Sequence, residues 1–405
     1  MTPASAVAAA LDSTPGLVGV AVSGGGDSMA LLVASIEAGA DLRVATVDHG
    51  LRPESAAEAA EVARFCAARG VGHETLAWRW DGAGNLPAMA RQGRLNALAA
   101  WAEAQGLSAV LLGHTQDDVA ETFLMRLSRR AGVDGLSAME PAFRHGGVTF
   151  LRPLLDQSRA GLRDFLRDRG IAWIDDPTND DRAFERTRAR QALAALGPLG
   201  IDAGCLSDVA AQMGEARAAL DAGLLELVNR TVRQVRGDLL VSAAAFDAPQ
   251  ELVRRLHAAA FRWMGRLPYP PRRADLARVM TAARAGRPAT LAGVHLLPQP
   301  EGALLTREFS AVQGVVTATT ALWDGRWRLD GPHAAGLTVR ALGSEGLAAC
   351  PDWRATGRPR AALLSTPGVW AGTELVAAPE AGLGNGWVVD VAVFRDQMAS
   401  LSRGN

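Results

Sequence analysis

Short apolar runs alternate with helix-period segments through the first part of the chain. Leu17 to Val22, Leu42 to Val47, Val71 to Leu76 and Ala109 to Leu112 are valine- and leucine-rich and bounded by glycine or polar residues. That is the pattern of strands buried on both faces. Between them, residues at about 28–38, 54–69, 86–105 and 117–130 carry apolar positions at helical spacing. Strands separated by helices predict a doubly wound parallel sheet. Val148 to Leu151 is a further strand candidate leading into Arg152-Pro153-Leu154-Leu155, and Ser158 is placed to cap an amphipathic run through Arg169.

The pattern then changes. From about 192 to 290 it is rich in alanine, leucine and arginine and helical, broken by Gly200, Gly204 and the Pro268-Tyr269-Pro270-Pro271 corner. Thr290 to Arg307 alternates strand-like runs across glycine and proline and predicts a hairpin. After Gln313, Trp323, Trp327, Trp353 and Trp370 stand among glycines and prolines, with strand-like pieces at Leu337 to Leu342 and Glu374 to Ala377. Tryptophans so placed are read as core before base-stacking platforms. The expected division is an α/β domain over 1–195, a mainly helical middle domain over 196–312 ending in a hairpin, and a small mixed α+β domain over 313–405.

Two of the predicted strand ends carry chemistry. The first strand breaks into Ser23-Gly24-Gly25-Gly26-Asp27-Ser28 and then into an apolar helix start. Glycines let backbone N–H groups close on an anion, and the helix N-terminus adds partial positive charge at the same spot. A tight turn with Asp27 or Ser28 as helix cap uses the same residues. The turn is not a Walker A loop, which needs a lysine after the glycines: all 42 basic residues of the chain are arginine. The strand at Ala109 to Leu112 ends in Gly113 and opens through His114-Thr115-Gln116-Asp117-Asp118 into another helix. Ligands collect at the carboxyl ends of parallel strands, so both clusters are expected to face one crevice.

These residues bring in a resemblance. SGGGDS is similar to the SGGxDS loop of the PP-loop ATP pyrophosphatases, which split ATP to AMP and pyrophosphate. VDHGLRPES at Val47 to Ser55, ARQGRLNAL at Ala90 to Leu98, GHTQDDVAETFLMRL at Gly113 to Leu127, GLSAM at Gly135 to Met139 and DPTNDD at Asp176 to Asp181 follow in the order that resembles one family of that class, the tRNA(Ile)-lysidine synthases. The likeness covers roughly the first 190 residues. It implies a PP-loop (adenine nucleotide alpha hydrolase-like) domain followed by the helical and C-terminal domains, the last expected to contact tRNA. The chain departs from the family pattern at Gly26, where a basic or small residue is usual, and at Leu95, where tyrosine is common; a glycine keeps the turn and a leucine keeps the apolar helix face.

The implied reaction adenylates the wobble cytidine of the CAU anticodon of tRNA(Ile), after which free lysine displaces AMP. ATP is then a co-substrate, Mg²⁺ a cofactor, and tRNA(Ile) and lysine the partners. Backbone N–H groups of Ser23, Gly24, Gly25, Gly26, Asp27 and Ser28 would hold pyrophosphate, with Asp27 a Mg²⁺ ligand. Arg94 is placed on the α-phosphate or the developing oxyanion because its planar fork binds phosphate bidentately; Arg91 competes, and a surface helix arginine is the plain alternative. Asp118 is the first choice to hold the lysine ammonium and help remove its proton. His114, titrating near neutrality, is a candidate for contacting AMP or relaying the proton. Asp117 either shares that work or caps its helix. His49, Arg52, Asp176 and Asn179 are expected to border the substrates, against the alternative of ordinary turn residues.

Composition sets outer limits. The formal net charge of −1 advertises no global attraction to nucleic acid, although Arg126 to Arg190 holds more arginines than acidic residues. Cys66, Cys205 and Cys350 form no CxxC pair, which fits a reduced cytoplasmic protein without a thiolate metal site. No signal peptide or membrane span is read from the sequence, and base rates of oligomers favour a homodimer. A tRNA thiolase, which uses the same ATP split, commonly needs well-placed cysteines; a nucleotide-binding regulator would release no pyrophosphate.

Overall fold

The protein is described by a computed structural model over residues 1–50, 55–80, 82, 84–175 and 185–402. The chain divides into two units, Met1–Arg217 and Ala218–Asn405. In the first, the elements run α1 (Pro3–Leu11), β1 (Val18–Ala21), α2 (Gly26–Glu37), β2 (Leu42–Asp48), α3 (Ser55–Ala67), β3 (Gly72–Ala77), α4 (Leu86–Ala104), β4 (Ala109–Leu112), α5 (Gln116–Ser128), α6 (Val133–Leu136), β5 (Ala142–His145), β6 (Val148–Leu151), α7 (Arg159–Arg167) and α8 (Glu185–Leu196), with α9 (Ala203–Thr231) carrying the chain onward.

The sheet order is β3-β2-β1-β4-β6-β5, parallel except for the β5–β6 hairpin at one edge. The order reverses direction at β1, between β2 and β4. In an open parallel sheet a ligand crevice opens at the carboxyl ends of the strands at such a point, and the glycine turn lies there. The central strands are apolar on both faces because both faces are covered. Val18, Val20, Leu31, Leu32, Ala109 and Leu111 pack on one side, and Leu98, Ala102, Val110 and Phe150 on the other. The sequence-based α/β reading describes this unit.

The second unit holds β7 (Val232–Val235), β8 (Asp238–Ser242), α10 (Gln250–Gly265), α11 (Arg273–Arg284), β9 (Ala289–Leu291), β10 (Val294–Gln299) and β11 (Gly302–Arg307). These strands form an antiparallel sheet ordered β7-β8-β11-β10-β9. Beyond it come β12 (Thr317–Ala318), β13 (Trp327–Asp330), β14 (Leu337–Ala341), α12 (Gly343–Ala348), α13 (Arg360–Leu364), β15 (Pro367–Ala371), β16 (Glu374–Ala377), β17 (Val388–Val391) and α14 (Phe394–Ser402). Trp323, Trp327 and Trp370 are buried in the cores of this last part, as the core reading expects.

The region read as mainly helical also contains the β7–β8 hairpin, which the sequence pattern did not indicate. Its two-residue turn is Arg236-Gly237, with Arg236 at φ +56°, in place of the Asn-Gly or Asp-Gly that marks such turns. Gly237 is required by packing, because a Cβ there would lie 2.2 Å from Trp327.

Candidate active site

At the end of β1, Ser23 to Gly25 turn the chain into α2, whose first turn holds Asp27 and Ser28. Ser28 Oγ donates to the Gly25 carbonyl at 2.9 Å and accepts the Ser23 N–H at 3.1 Å, which pins the turn from inside. Gly24 stands at φ +89°, and a Cβ there would meet Ile174 at 2.8 Å. The positive φ favours glycine, and a side chain there would also have to push aside the tip of Ile174. Gly26 differs: a Cβ there meets only Trp173, at 3.4 Å, so this position has room for a side chain. Gly113, at the end of β4, packs tightly on the backbone of Asp27 and Ser28, 3.1–3.2 Å from where its Cβ would be. The two strand ends therefore meet directly.

Thr115 is the N-cap of α5. Its hydroxyl accepts the Asp118 N–H, and the Asp118 carboxylate accepts the Thr115 N–H at 2.9 Å, a reciprocal capping box. The sequence reading offered Asp117 as the cap of this helix; the structure corrects it. Asp117 instead accepts, at 2.7 Å, the backbone N–H of Arg159, the first residue of α7, whose N-cap is Ser158 as the sequence places it. Asp118 caps α5 with one oxygen and presents the other to Arg186 at 3.3 Å and Arg159 at 3.7 Å. Burial opposes its ionisation, but Arg186, His114, the Thr115 amide and Arg159 together hold its carboxyl below the usual range. It is a fixed negative charge, poorly suited to taking up a proton.

Arg159 is the hub. Its guanidinium reaches Asp27 and Glu121, each at 3.1 Å, as well as Asp118. These carboxylates raise its pKa despite burial. Glu121, almost fully buried, also accepts from Arg190 at 2.6 Å, while its Oε2 has no partner. Asp27 has its pKa raised, by burial first and then by Asp118 and Asp117, against the lowering effect of Arg159. Sequence reasoning missed Arg159, Glu121, Arg186 and Arg190. The available signal was Glu121 itself, three residues after Asp118 and on the same face of α5 in an otherwise apolar stretch.

Opposite in character is the group around Arg94. This arginine is half-buried on α4, and its Nε is buried without a partner. Burial, Arg91 and Arg186 lower its pKa, with only Asp118 opposing. Burial and Arg91 likewise push Arg152 down to about 10, and its Nε is also unpartnered. Arg91 is lowered by burial and Arg186. These are cations pressed together without enough anions, the environment of an anion site.

His114 lies within the field of this group. Burial, assisted by Arg94, Arg152 and Arg186 and opposed by Asp118, lowers its pKa to about 3. The expectation that it titrates near neutrality is thus overturned: it is a neutral imidazole whose Nδ1 has no partner. His49, after β2, stacks edge-on against Trp78 with ring centroids 5.6 Å apart, and its Nδ1 is also buried and unpartnered. Burial and the charge of Arg94 lower its pKa. Trp78 can approach α4 because Gly93 leaves space; a Cβ there would lie 1.9 Å from the indole nitrogen. The structure thus brings His49, Arg91, Arg94, His114, Asp117, Asp118 and the Ser23–Ser28 turn together at the carboxyl ends of the central strands. Arg52, Asp176 and Asn179 lie outside the described residues.

The geometry is that of a nucleotide crevice, and known proteins agree. The PP-loop domain family matches residues 4–196. A tRNA(Ile)-lysidine synthase from Ruegeria pomeroyi is 49% identical over 93% of this chain and 91% of its own length. Proteins of the same name from Bradyrhizobium diazoefficiens and Novosphingobium aromaticivorans are 39% and 42% identical, over 86% and 70% of this chain and 94% and 86% of theirs. The likeness extends well past the glycine turn and its crevice into the second unit, and the chain belongs to the tRNA(Ile)-lysidine synthase family, with the ATP use of a PP-loop enzyme.

Proposed function

We propose that this protein adenylates the ring carbonyl oxygen of the wobble cytidine in the CAU anticodon of tRNA(Ile), releasing pyrophosphate. The amine of free lysine then bonds to the activated carbon and the C–O bond to AMP breaks, leaving lysidine. The observation that carries this reading is the Arg94 guanidinium, half-buried with an unpartnered Nε among other arginines and within the field of Asp118 and His114. A fold keeps such a group where a ligand supplies the missing negative charge. The α-phosphate does so, and a fork of N–H donors gains as charge builds on it during transfer.

The backbone N–H groups of Ser23 to Ser28 are assigned to pyrophosphate. His114, neutral at pH 7, offers a hydrogen bond to AMP without adding charge. Free lysine must lose a proton that costs about 4–5 kcal/mol to remove at pH 7. Asp118 is assigned to holding its ammonium, by charge and not as the proton acceptor. No cluster of three or more metal-ligating side chains occurs among the described residues. Mg²⁺ held mainly by phosphate oxygens needs only one or two carboxylates, and Asp27, raised by burial and by its acidic neighbours, fits because a cation would favour its ionised form. Bound there, Mg²⁺ would neutralise triphosphate charge.

Cys66 is buried in the core with its thiol pushed up to about 11 by burial, and Cys350 is likewise buried and raised. Neither resembles a sulfur-transfer thiolate. No single helix among the described residues is long and apolar enough to cross a membrane; the cytoplasm, where tRNA, ATP and lysine meet, is the proposed compartment, and a homodimer the proposed assembly. The test supplies tRNA, ATP, Mg²⁺ and labelled lysine and follows pyrophosphate and label in RNA. Label entering only the CAU-anticodon isoleucine tRNA is expected; pyrophosphate without label in RNA would overturn the choice of nucleophile.

A further inference from the structure

The largest local imbalance of charge lies far from the crevice residues in sequence. Between Arg262 and Arg287 seven arginines accompany one acidic residue, Asp275, in a chain whose net charge is −1. Asp275 pairs with Arg278 at 3.1 Å. Arg272, Arg273, Arg284 and Arg287 are exposed and have no ion pair among the described residues. Arg272 is the N-cap of α11, Arg273 its first residue and Arg284 its last. The buried face of the helix is Leu276, Val279 and Met280. At 100° and 1.5 Å per residue, Arg273 and Arg284 fall on one edge of the exposed face, roughly 16 Å apart along the axis.

Helix stability does not account for this arrangement. Arg284 and Arg287 suit the negative end of the α11 dipole, but Arg272 and Arg273 sit at its positive end, where cations are unfavourable. Directly before them, the chain's single tyrosine, Tyr269, is 73% exposed in the Pro268-Tyr269-Pro270-Pro271 corner. An exposed aromatic ring beside unpaired arginines is the combination that meets a nucleic-acid strand, by stacking and by phosphate contact.

We propose that the exposed face of α11, with Arg272, Arg273, Arg284, Arg287 and Tyr269, binds the backbone of the tRNA substrate; the proposal rests on the function assigned above. Its role is to hold the tRNA body, since phosphate contacts position but do not read sequence.

The test compares the wild type with the Arg272→Gln/Arg273→Gln/Arg284→Gln/Arg287→Gln variant, using an unmodified CAU-anticodon tRNA(Ile) transcript as probe. Removing one arginine–phosphate pairing flattens the slope of log affinity against log salt by about 0.7–0.9, so a total change of about 3 is expected. At about 0.15 M salt the Kd and the KM for tRNA should rise at least about tenfold, while kcat at saturating tRNA and the KM values for ATP and lysine stay constant. Tyr269→Ala should weaken binding without altering the slope. If the fourfold variant does not fold, the 272/273 and 284/287 double variants carry the same expectation at half the slope change.

Unchanged tRNA affinity and slope overturn the proposal. So does an unchanged tRNA affinity in variants that lose binding to anionic vesicles, which would assign the surface to lipid. Wild type that binds the tRNA but transfers no lysine would overturn the reaction and leave the surface standing. A wild type that makes lysidine, with variants of unchanged KM for tRNA, would do the reverse.

Discussion

Replacing Arg94 should move stability and activity in different ways. In the free protein its guanidinium makes no ion pair among the described residues and is pressed by Arg91 and Arg186. Arg94→Ala removes a half-buried aliphatic stem, costing about 1–2 kcal/mol at ~0.8 kcal/mol per fully buried methylene. It also removes the orphaned Nε, whose desolvation costs about 1–3 kcal/mol, and relieves repulsion. The net change is within about 1 kcal/mol of zero, or roughly 2–4 °C in Tm for a unit of this size. On the role proposed for Arg94, the same substitution removes a donor to developing phosphate charge, worth about 2.7–4 kcal/mol or 10²–10³ in rate.

Thermal unfolding without nucleotide and single-turnover pyrophosphate release separate the two effects. Arg94→Lys should recover only part of the rate, because it restores a point charge without the fork. An apo Tm lowered by much more than about 4 °C, with activity falling only in proportion to the folded fraction, would refute the reasoning. Arg94 would then be a structural residue.

Three other outcomes follow from the same geometry. Asp27→Asn should leave apo stability unchanged or raise it at neutral pH, because a carboxyl raised above its ordinary 3.8 is favoured by folding only while protonated and loses that contribution as pH rises; pyrophosphate release should be abolished, and a large fall in Tm would count against this. Gly24→Ala must adopt φ +89° and displace Ile174, costing about 2–3 kcal/mol and roughly 5–10 °C by thermal unfolding, whereas Gly26→Ala should melt like the wild type. Because His114 drops from 6.5 to about 3 on folding, the unfolded chain binds its proton first, so stability is full above about pH 6.5 and falls towards pH 3 at up to roughly 1.4 kcal/mol per pH unit. Denaturant titrations of His114→Gln should show a shallower acid slope than those of the wild type; identical slopes would place the titration elsewhere.

The parallel sheet was legible because strands covered on both faces leave continuous apolar runs, and the glycine turn and the His114–Asp118 cluster were legible because each is contiguous in sequence. Arg159 was not, since its partner Asp27 is 132 residues away and only the packing of α7 brings them together. The roles of Asp117 and Asp118 were beyond sequence for a similar reason: both sit in the first turn of α5, and which of them meets the first backbone N–H of α7 depends on where α7 packs. The β7–β8 hairpin escaped because Arg236 takes a left-handed conformation usually signalled by asparagine or aspartate.

The crevice separates its charges into two groups, and that separation suits a two-step reaction. Around Arg94 cations outnumber anions, so a phosphate enters with its charge compensated in advance. Around Arg159 the carboxylates of Asp27, Asp117, Asp118 and Glu121 are interleaved with arginines, so an ammonium can be held without a large net field. Every cation in both groups is a guanidinium, which stays protonated and is not a nucleophile at neutral pH, and the 405 residues contain no lysine. None of the protein's positive charges can therefore attack an activated carbon, and the only side-chain ε-amine available must arrive from solution.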